Sequence, residues 1–569
     1  MIKEKLQNSI KEALGPLGIK AEDVFFEHPT GFDHGDYSTN IAMILSKELK
    51  TKPTEIAENI LKEINKNKPE EIEKIEIAGP GFINFYLSKK FFVESLGQIL
   101  KEEDNYGKNK SLDGEKIIIE YTDMNPFKPM HIGHLMSNSI GESLSRIIEA
   151  NGVELKRATY GGDVGLHVAK CMWGILKLKS ELPKDGTLEE KAEFLGKAYV
   201  LGANAYEEDE NSKKEIQELN QKIYNKSDEE INELYDWGRK ASVDYFQEIY
   251  EKLGTKFDYQ FFESEMVERG MFIVEEFLKK GIFEKSDGAI VFKGENYGLH
   301  TRVFVNSQGL PTYETKELGL NKKKFETENF NKSIIITANE QSDYFKVIIK
   351  ALEFIDSEIA NKTKHIAHGM MRLSGGKMSS RKGNVITGES LIKDAEEKIE
   401  EKIKDREFSE EQKKEISEQV GLGAIKYSIL KQTIGRDIIF DFEKSLSFEG
   451  DSGPYLQYAH TRANSVLEKA KGERIKESIE KYNEETNEVE KMLYRFPEIV
   501  KRAFADYSPS HIATYLVELS GSFNGYYAKN KIVDAKDENS PYKVALTKAF
   551  KIIMKNGLNL LGIKTPSKM

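Results

Sequence analysis

The sequence predicts an α/β protein: a doubly wound core broken by a helical insertion, a small α/β domain before it and an all-helical domain after it. Three observations carry that prediction. At 117–152, IIIEYTDMNPFKPMHIGHLMSNSIGESLSRIIEANG reads as buried strand, loop and helix. Its β-branched start gives way to Asn125-Pro126 and Lys128-Pro129, which forbid helix, and Leu135, Ile140, Leu144, Ile147 and Ile148 then recur at helical spacing until Asn151-Gly152. Further short apolar runs, LKRATY, SIIITANEQ and HIAHGMMRL, alternate with helical stretches in the manner of βαβ units. From about residue 441 onward the pattern is helical alone, and 569 residues exceed what one core organises.

Composition narrows the class. With 39% hydrophobic and 31% charged residues and no apolar run of membrane-spanning length, the chain predicts a globular protein away from membranes. Its start, MIKEKLQNSIKEAL, is an amphipathic charged helix rather than a secretory signal, which predicts a cytoplasmic location. A single cysteine, Cys171, excludes internal disulfides and Cys-rich zinc modules. The net charge of −11 argues mildly against nucleic acid, yet residues 521–569 hold nine Lys against Asp534, Asp537 and Glu538, with Phe523, Tyr526, Tyr527 and Tyr542 interleaved. That local pattern suits RNA backbone and a splayed base, but taken alone it favours the solvated face of a helical bundle.

In chain order, residues 1–112 read as the small α/β domain: an opening helix, the loop HPTGFDHGDYSTN, helices near 37–66, and a strand in IEIAGPGFINFYL. His28, Asp33, His34 and Asp36 give that loop a catalytic look, but a turn built from Gly and Asx residues explains it as well. Residues 113–385 form the core, with the helical insertion at about 175–290; 386–440 are a helical connecting region and 441–569 the all-helical domain. After LKRATY, the turn GGDVG should lie at the carboxyl edge of the sheet, where doubly wound folds bind ligands. GAIVFKG and HTRVFVNSQGLPTY read as further strands supporting loops at that edge.

The chemistry-bearing residues gather in two motifs. His131 and His134 stand three apart in the first turn of a helix, where free N–H groups and the macrodipole favour an anion. HxGH is expected only about 0.01 times in a chain of this composition. Downstream, HGMMRLSGGKMSSRKGN sets Lys377 in a loop flanked by Gly375, Gly376 and Gly383, with Arg381 and Lys382 adding charge for a polyphosphate.

HIGH at 131–134 with KMSSR at 377–381 resembles the paired signatures HIGH and KMSKS of the class I aminoacyl-tRNA synthetases. The 1–112 domain, through HPTGFDHGDYSTN and AGPGFINFYLS, and YLQYAHTRA at 455–463 are similar to the arginyl-tRNA synthetases within that class, so the likeness spans nearly the whole chain. The resemblance implies a class I synthetase Rossmann-type catalytic domain with a helical insertion, an N-terminal domain contacting tRNA near its elbow and a C-terminal domain binding the anticodon. It implies ATP-dependent activation of L-arginine and transfer to tRNA(Arg), with Mg²⁺ accompanying ATP, by a monomer that needs tRNA for activation. It implies catalytic roles for His131, His134, Lys377 and Lys128, and ATP contacts from His131, Gly133, His134, Lys377, Met378, Ser379 and Ser380. It implies arginine contacts from Glu120, Asn125, Tyr313, Glu317 and Gln341. Three positions depart from the family pattern: Ser380 replaces the second motif lysine, Glu317 stands where Asp is common, and Val164 replaces the Trp of GDWG. A class I lysyl-tRNA synthetase, a small-molecule nucleotidyltransferase and a binding-only RNA-binding paralogue are the competing readings.

Overall fold

The computed structural model describes residues 2–20, 23–374 and 387–569, so Lys377, Met378, Ser379 and Ser380 lie outside the described residues. The chain divides into two compact units, 1–106 with 459–498 and 517–556, and 107–458 with 499–516 and 557–569.

In the first unit, strands β1 (Tyr37–Thr39), β2 (Ile72–Ala78) and β3 (Phe82–Leu87) form an antiparallel sheet in the order β1-β3-β2. The single strand expected in IEIAGPGFINFYL is therefore a hairpin. Gly79 (φ 52°) and Gly81 (φ 124°) adopt the turn conformation that a side chain resists. The amphipathic helices Ile2–Leu14, Ile41–Leu49 and Pro53–Ile64 bury Leu6, Ile10, Leu45, Ile56 and Ile60 against Phe85 and Leu87. Asp36 ties its loop to the hairpin rather than to the loop's own backbone, accepting the Leu87 N–H at 2.8 Å while its own N–H donates to Phe85 O. Tyr494 sits in the same core as the N-terminal helices, and Lys89 makes a buried 2.7 Å ion pair with Glu490. Residues 499–516 and 557–569 belong to the other unit.

The second unit is built on a five-stranded sheet of β4 (Lys116–Glu120), β5 (Glu154–Gly161), β6 (Tyr259–Phe262), β10 (Lys332–Ala338) and β11 (Thr363–His368). Every pair is parallel, in the order β11-β10-β4-β5-β6. Burial on both faces explains the unbroken apolar runs of β4 and β10. The helix Ile132–Ala150 carries β4 to β5 and lies so close that a Cβ on Gly141 would stand 2.1 Å from Tyr121 Cγ. Beyond β5, the helices Leu166–Lys177 and Leu188–Glu208 cross backbone to backbone, since a Cβ on Gly174 would meet Ala198 O at 2.0 Å and one on Gly202 would meet Lys170 O at 1.8 Å.

The helices of the insertion run to Leu253, Tyr259–Phe262 returns to the main sheet as β6, and a further helix, Glu263–Lys279, follows it. The runs GAIVFKG and HTRVFV do not join that sheet. They form a separate antiparallel one from β7 (Glu284–Ser286), β8 (Ala289–Phe292) and β9 (Arg302–Val305). The cause is local: Asp287 (φ 49°) and Gly288 (φ 78°) make a two-residue turn with both φ positive, which closes a hairpin before any crossover can form. Strands β12 (Met371–Leu373) and β13 (Ile438–Phe440) pair in parallel.

The rear of the Ile132–Ala150 helix is stitched to the end of the chain. Ser143 Oγ donates to Leu560 O at 2.8 Å and Arg146 Nη1 to Asn559 O at 2.9 Å. Lys426, fully buried on the helix Glu410–Leu430, donates to Leu253 O at 2.6 Å and Gly562 O at 2.8 Å.

Candidate active site

Strand order reverses between β4 and β10, because β4 connects to β5 on one side and β10 to β11 on the other. A crevice at such a switch, beyond the carboxyl ends of the strands, is where doubly wound sheets bind ligands. Glu120, Gly161, Phe262, Ala338 and His368 mark those ends.

His131 caps the helix in extended conformation (φ −99°, ψ 167°) and donates its N–H to His134 Nδ1 at 3.2 Å. The two rings stack with centroids 3.5 Å apart. Gly133 permits this, since a Cβ there would sit 3.0 Å from the His131 ring. His134 is buried, and burial first, then His131 and Lys128, holds its pKa well below the usual histidine range. The ring is therefore neutral; with Nδ1 accepting, the proton is on Nε2, a donor suited to a phosphate oxygen.

The approach to this helix is strained. Thr122 (φ 78°), Asp123 (φ 50°) and Phe127 (φ 68°) are non-glycine residues in the left-handed region. They are held by Asn138 Nδ2 to Thr122 Oγ1 at 3.0 Å, Tyr160 N–H to Asp123 Oδ1 at 2.9 Å, and Phe127 N–H to Ser242 Oγ at 3.0 Å. Asn125 Oδ1 accepts the Gly162 N–H at 2.9 Å, which joins the loop to the GGDVG turn at the edge of β5. The Lys128 ammonium lies 5.3 Å from the centroid of the Tyr199 ring, and desolvation followed by Lys170 lowers its pKa. Beyond the second motif, Thr387 bridges to His131 and Gly388 N–H donates to Met130 O at 2.9 Å, so the chain resumes beside the paired histidines.

Carboxyl groups collect on the other side of the crevice. The helix Tyr313–Thr327 buries Lys316, Glu317, Asn321 and Lys324, although its sequence looks like a solvated one. Asn321 Nδ2 donates to Glu317 Oε1 at 2.9 Å, and Lys324 Nζ lies 2.6 Å from Glu120 Oε2 with both side chains buried. Burial, then the Glu120 carboxylate, raises the pKa of Glu317; Asp123 is raised by the same two causes. Glu263, at the end of β6, is ion-paired to Lys316, yet burial pushes its carboxyl up to about 7. A Cβ on Gly162 would lie 3.3 Å from Glu263 Oε1 and 2.5 Å from Asn125 Oδ1, which places these two side chains on one glycine. The Lys316 ammonium sits 4.6 Å from the centroid of the Tyr313 ring, a side chain 55% exposed at the helix start.

Of the residues singled out in the sequence, Gly133 and the paired histidines gather at the helix start, Lys128 and Asn125 in the loop before it, and Glu120 with Glu317 in the carboxyl cluster. Helical spacing of four puts Tyr313 and Glu317 on one face, as the sequence indicates, but Tyr313 is open and Glu317 closed. Gln341 lies exposed at the end of the one-turn helix Asn339–Gln341 after β10. Four residues went unnoticed in the sequence: Glu263, Lys316, Lys324 and Asp163. Lys316 stands beside Glu317 in TYETKELGL and was the nearest signal. Asp163, inside GGDVG, is buried and accepts from Arg239 Nε at 2.8 Å, Ser264 N–H at 2.9 Å and Ser264 Oγ at 2.7 Å, a joint between the turn and the insertion.

Comparison with known proteins agrees with this layout. The family model for the class I (R) tRNA synthetase catalytic domain matches residues 95–442, the DALR anticodon binding domain matches 456–569, and the arginyl tRNA synthetase N-terminal domain matches 2–87. An arginine–tRNA ligase of Clostridium acetobutylicum is 32% identical over 556 residues, 97% of each chain. One from Borreliella burgdorferi is 32% identical over 590 residues, 100% of this chain and 99% of the relative. In fold, the chain is similar over its full length to a Thermus thermophilus arginyl-tRNA synthetase structure (TM-score 0.79, 23% identity, 100% of both chains). A Plasmodium falciparum arginyl-tRNA synthetase structure matches at TM-score 0.77 and 21% identity, over 100% of this chain and 99% of that one.

Proposed function

The chain belongs to the class I (R) tRNA synthetases, and on that premise we propose that it is an arginine–tRNA ligase, activating L-arginine with ATP and transferring it to tRNA(Arg) with release of AMP and pyrophosphate. The relatives carry the choice of arginine, and one observation in the site supports a substrate with a cationic side chain. Glu120, Asp123, Glu317 and Glu263 face two ammonium groups, Lys316 and Lys324, so the fully ionised cluster is short of two positive charges, the number a cationic amino acid brings in its side chain and α-ammonium.

Activation is in-line attack of the arginine carboxylate on the α-phosphorus, so the protein's work is positioning and charge neutralisation. In this reading the neutral His134 and His131 donate to phosphate oxygens at the helix N-terminus, with Lys128 and Lys377 supplying charge. Gly133, Met378, Ser379 and Ser380 complete the ATP contacts. Glu120 receives the α-ammonium. Glu317 and Glu263 offer carboxyl oxygens to the planar guanidinium, while Tyr313 and Gln341 border the side chain and Asn125 holds the loop on Gly162. Mg²⁺ fits as the partner of ATP phosphates, since it prefers water and phosphate oxygens to an all-protein cage. The ligand tRNA is consistent with the anticodon-binding match at 456–569. No helix among the described residues is long and apolar enough to cross a membrane; a cytoplasmic monomer completes the proposal.

The deciding experiment is aminoacylation of mixed tRNA with each amino acid in turn. Arginine alone should be consumed. Consumption of lysine would favour the lysyl reading, and no consumption at all a binding-only protein.

A further inference from the structure

The helix Tyr313–Thr327 brings a buried cation to the cluster as well as a buried acid. Glu317, Asn321 and Lys324 are spaced i, i+4 and i+7, so they form one stripe along it. Asn321 orients Glu317 through its 2.9 Å donation to Oε1, and one turn further on Lys324 reaches Glu120 at 2.6 Å. Glu120 itself stands at the last residue of β4, in register with Ile335 of β10 and Ala158 of β5. We propose that Lys324 is a positioning residue for the amino-acid substrate: its ammonium holds the Glu120 carboxylate at the end of β4 and fixes the anion that receives the substrate α-ammonium. The inference rests on the arginine site described above and adds to it a residue that does not touch the substrate.

The surroundings show why a cation is needed there. The titratable groups facing Glu120 are Asp123 from the loop after β4, Glu317 from the Lys324 helix, Tyr160 from β5 and Tyr344 from the helix Ser342–Ile355. The other cation of the cluster, Lys316, is engaged with Glu263. Without Lys324, Glu120 would face carboxyls and phenols alone, and a buried carboxylate in that company takes up a proton or turns away. Lysine suits the position because its four-carbon stem spans the helix radius and its point charge leaves the far side of the carboxylate open.

The test compares Lys324→Met, Lys324→Arg, Glu120→Gln and the double variant Lys324→Met/Glu120→Gln in the full chain, by arginine and ATP kinetics from pH 5.5 to 8.5. Lys324→Met should raise the arginine KM roughly tenfold or more while the ATP KM changes less than about twofold. It should also move the acid limb of kcat/KM for arginine to higher pH, because Asp123 and Glu317 both lose the ammonium that favours their ionised forms. Lys324→Arg should restore most of the loss. An unchanged arginine KM in Lys324→Met, with a raised one in Glu120→Gln, would overturn the positioning role and leave the arginine site standing. An unchanged KM in both would overturn the role of Glu120 itself. Should Lys324→Met fail to fold, the double variant decides, since it buries no unpaired charge: an arginine KM equal to that of Glu120→Gln supports action through Glu120, and a further rise refutes it.

Discussion

Glu263 should make arginine use pH-dependent in a range where the amino acid itself does not titrate. Its carboxyl is raised from 4.5 to about 7, because burial outweighs the Lys316 ammonium, and at 1.36 kcal/mol per pH unit this corresponds to about 3 kcal/mol disfavouring ionisation in the empty site. A guanidinium binds the ionised form, so below pH 7 arginine has to displace a proton. kcat/KM should fall about tenfold by pH 6 from this group alone, and more steeply overall because Asp123 and Glu317 are raised as well. The stability linkage has the matching sign. A carboxyl whose folded pKa exceeds its unfolded one contributes stability below about pH 4.5 that is lost as pH rises through 7, so thermal protection by arginine should grow from pH 5.5 to 8. Glu263→Gln should remove one proton from the slope of the acid limb and lower the plateau by about 1.5–3 kcal/mol, or roughly ten- to 150-fold. Arginine-dependent ATP–pyrophosphate exchange with tRNA present measures both. The same slope and midpoint in wild type and Glu263→Gln would refute the reasoning.

His134→Ala and Lys377→Ala should each lower kcat by about 2.7–4 kcal/mol with little change in arginine KM, as expected of donors that act on charge formed in the transition state; unchanged turnover removes the residue from the mechanism. Lys128→Ala should depress exchange nearly as far as Lys377→Ala, and Ser380→Lys should partly rescue it; wild-type exchange in Lys128→Ala would end the idea that Lys128 compensates for Ser380. Glu317→Gln should abolish arginine activation while ATP binding, followed by calorimetry, persists; full arginine exchange would remove Glu317 from the pocket. Gly202→Ala should destabilise the insertion by about 3 kcal/mol or more, because its Cβ would stand 1.8 Å from Lys170 O; a thermal midpoint within a degree of wild type contradicts that crossing.

What the sequence made legible was local. Strand β4, the histidine-bearing helix and the GGDVG turn follow from apolar periodicity and Gly/Pro placement within a few residues of one another. The carboxyl cluster did not, because NKKKF has the look of a charged exposed face, and nothing local says that Lys324 is buried against a strand 200 residues earlier. The separate β7-β8-β9 sheet had its signal in Asp287-Gly288, which the βαβ pattern overrode. That Tyr494 and Glu490 pack with residues of the first 106 had no signal at all, since helical periodicity reports that a face is buried but not what buries it.

The stitching of the histidine-bearing helix to residues 559–562 bears on how the protein is made. Ser143 and Arg146 find their partners 417 and 413 residues further along the chain. Contacts of such sequence separation form late, and on the ribosome they must wait for partners made more than 400 residues afterwards. The histidine-bearing helix of a nascent chain therefore lacks the support behind it until residues 559–562 have emerged, and Lys426 leaves Leu253 O and Gly562 O to be joined in that same step. An enzyme that supplies translation would thus be withheld from working until the ribosome has passed those residues.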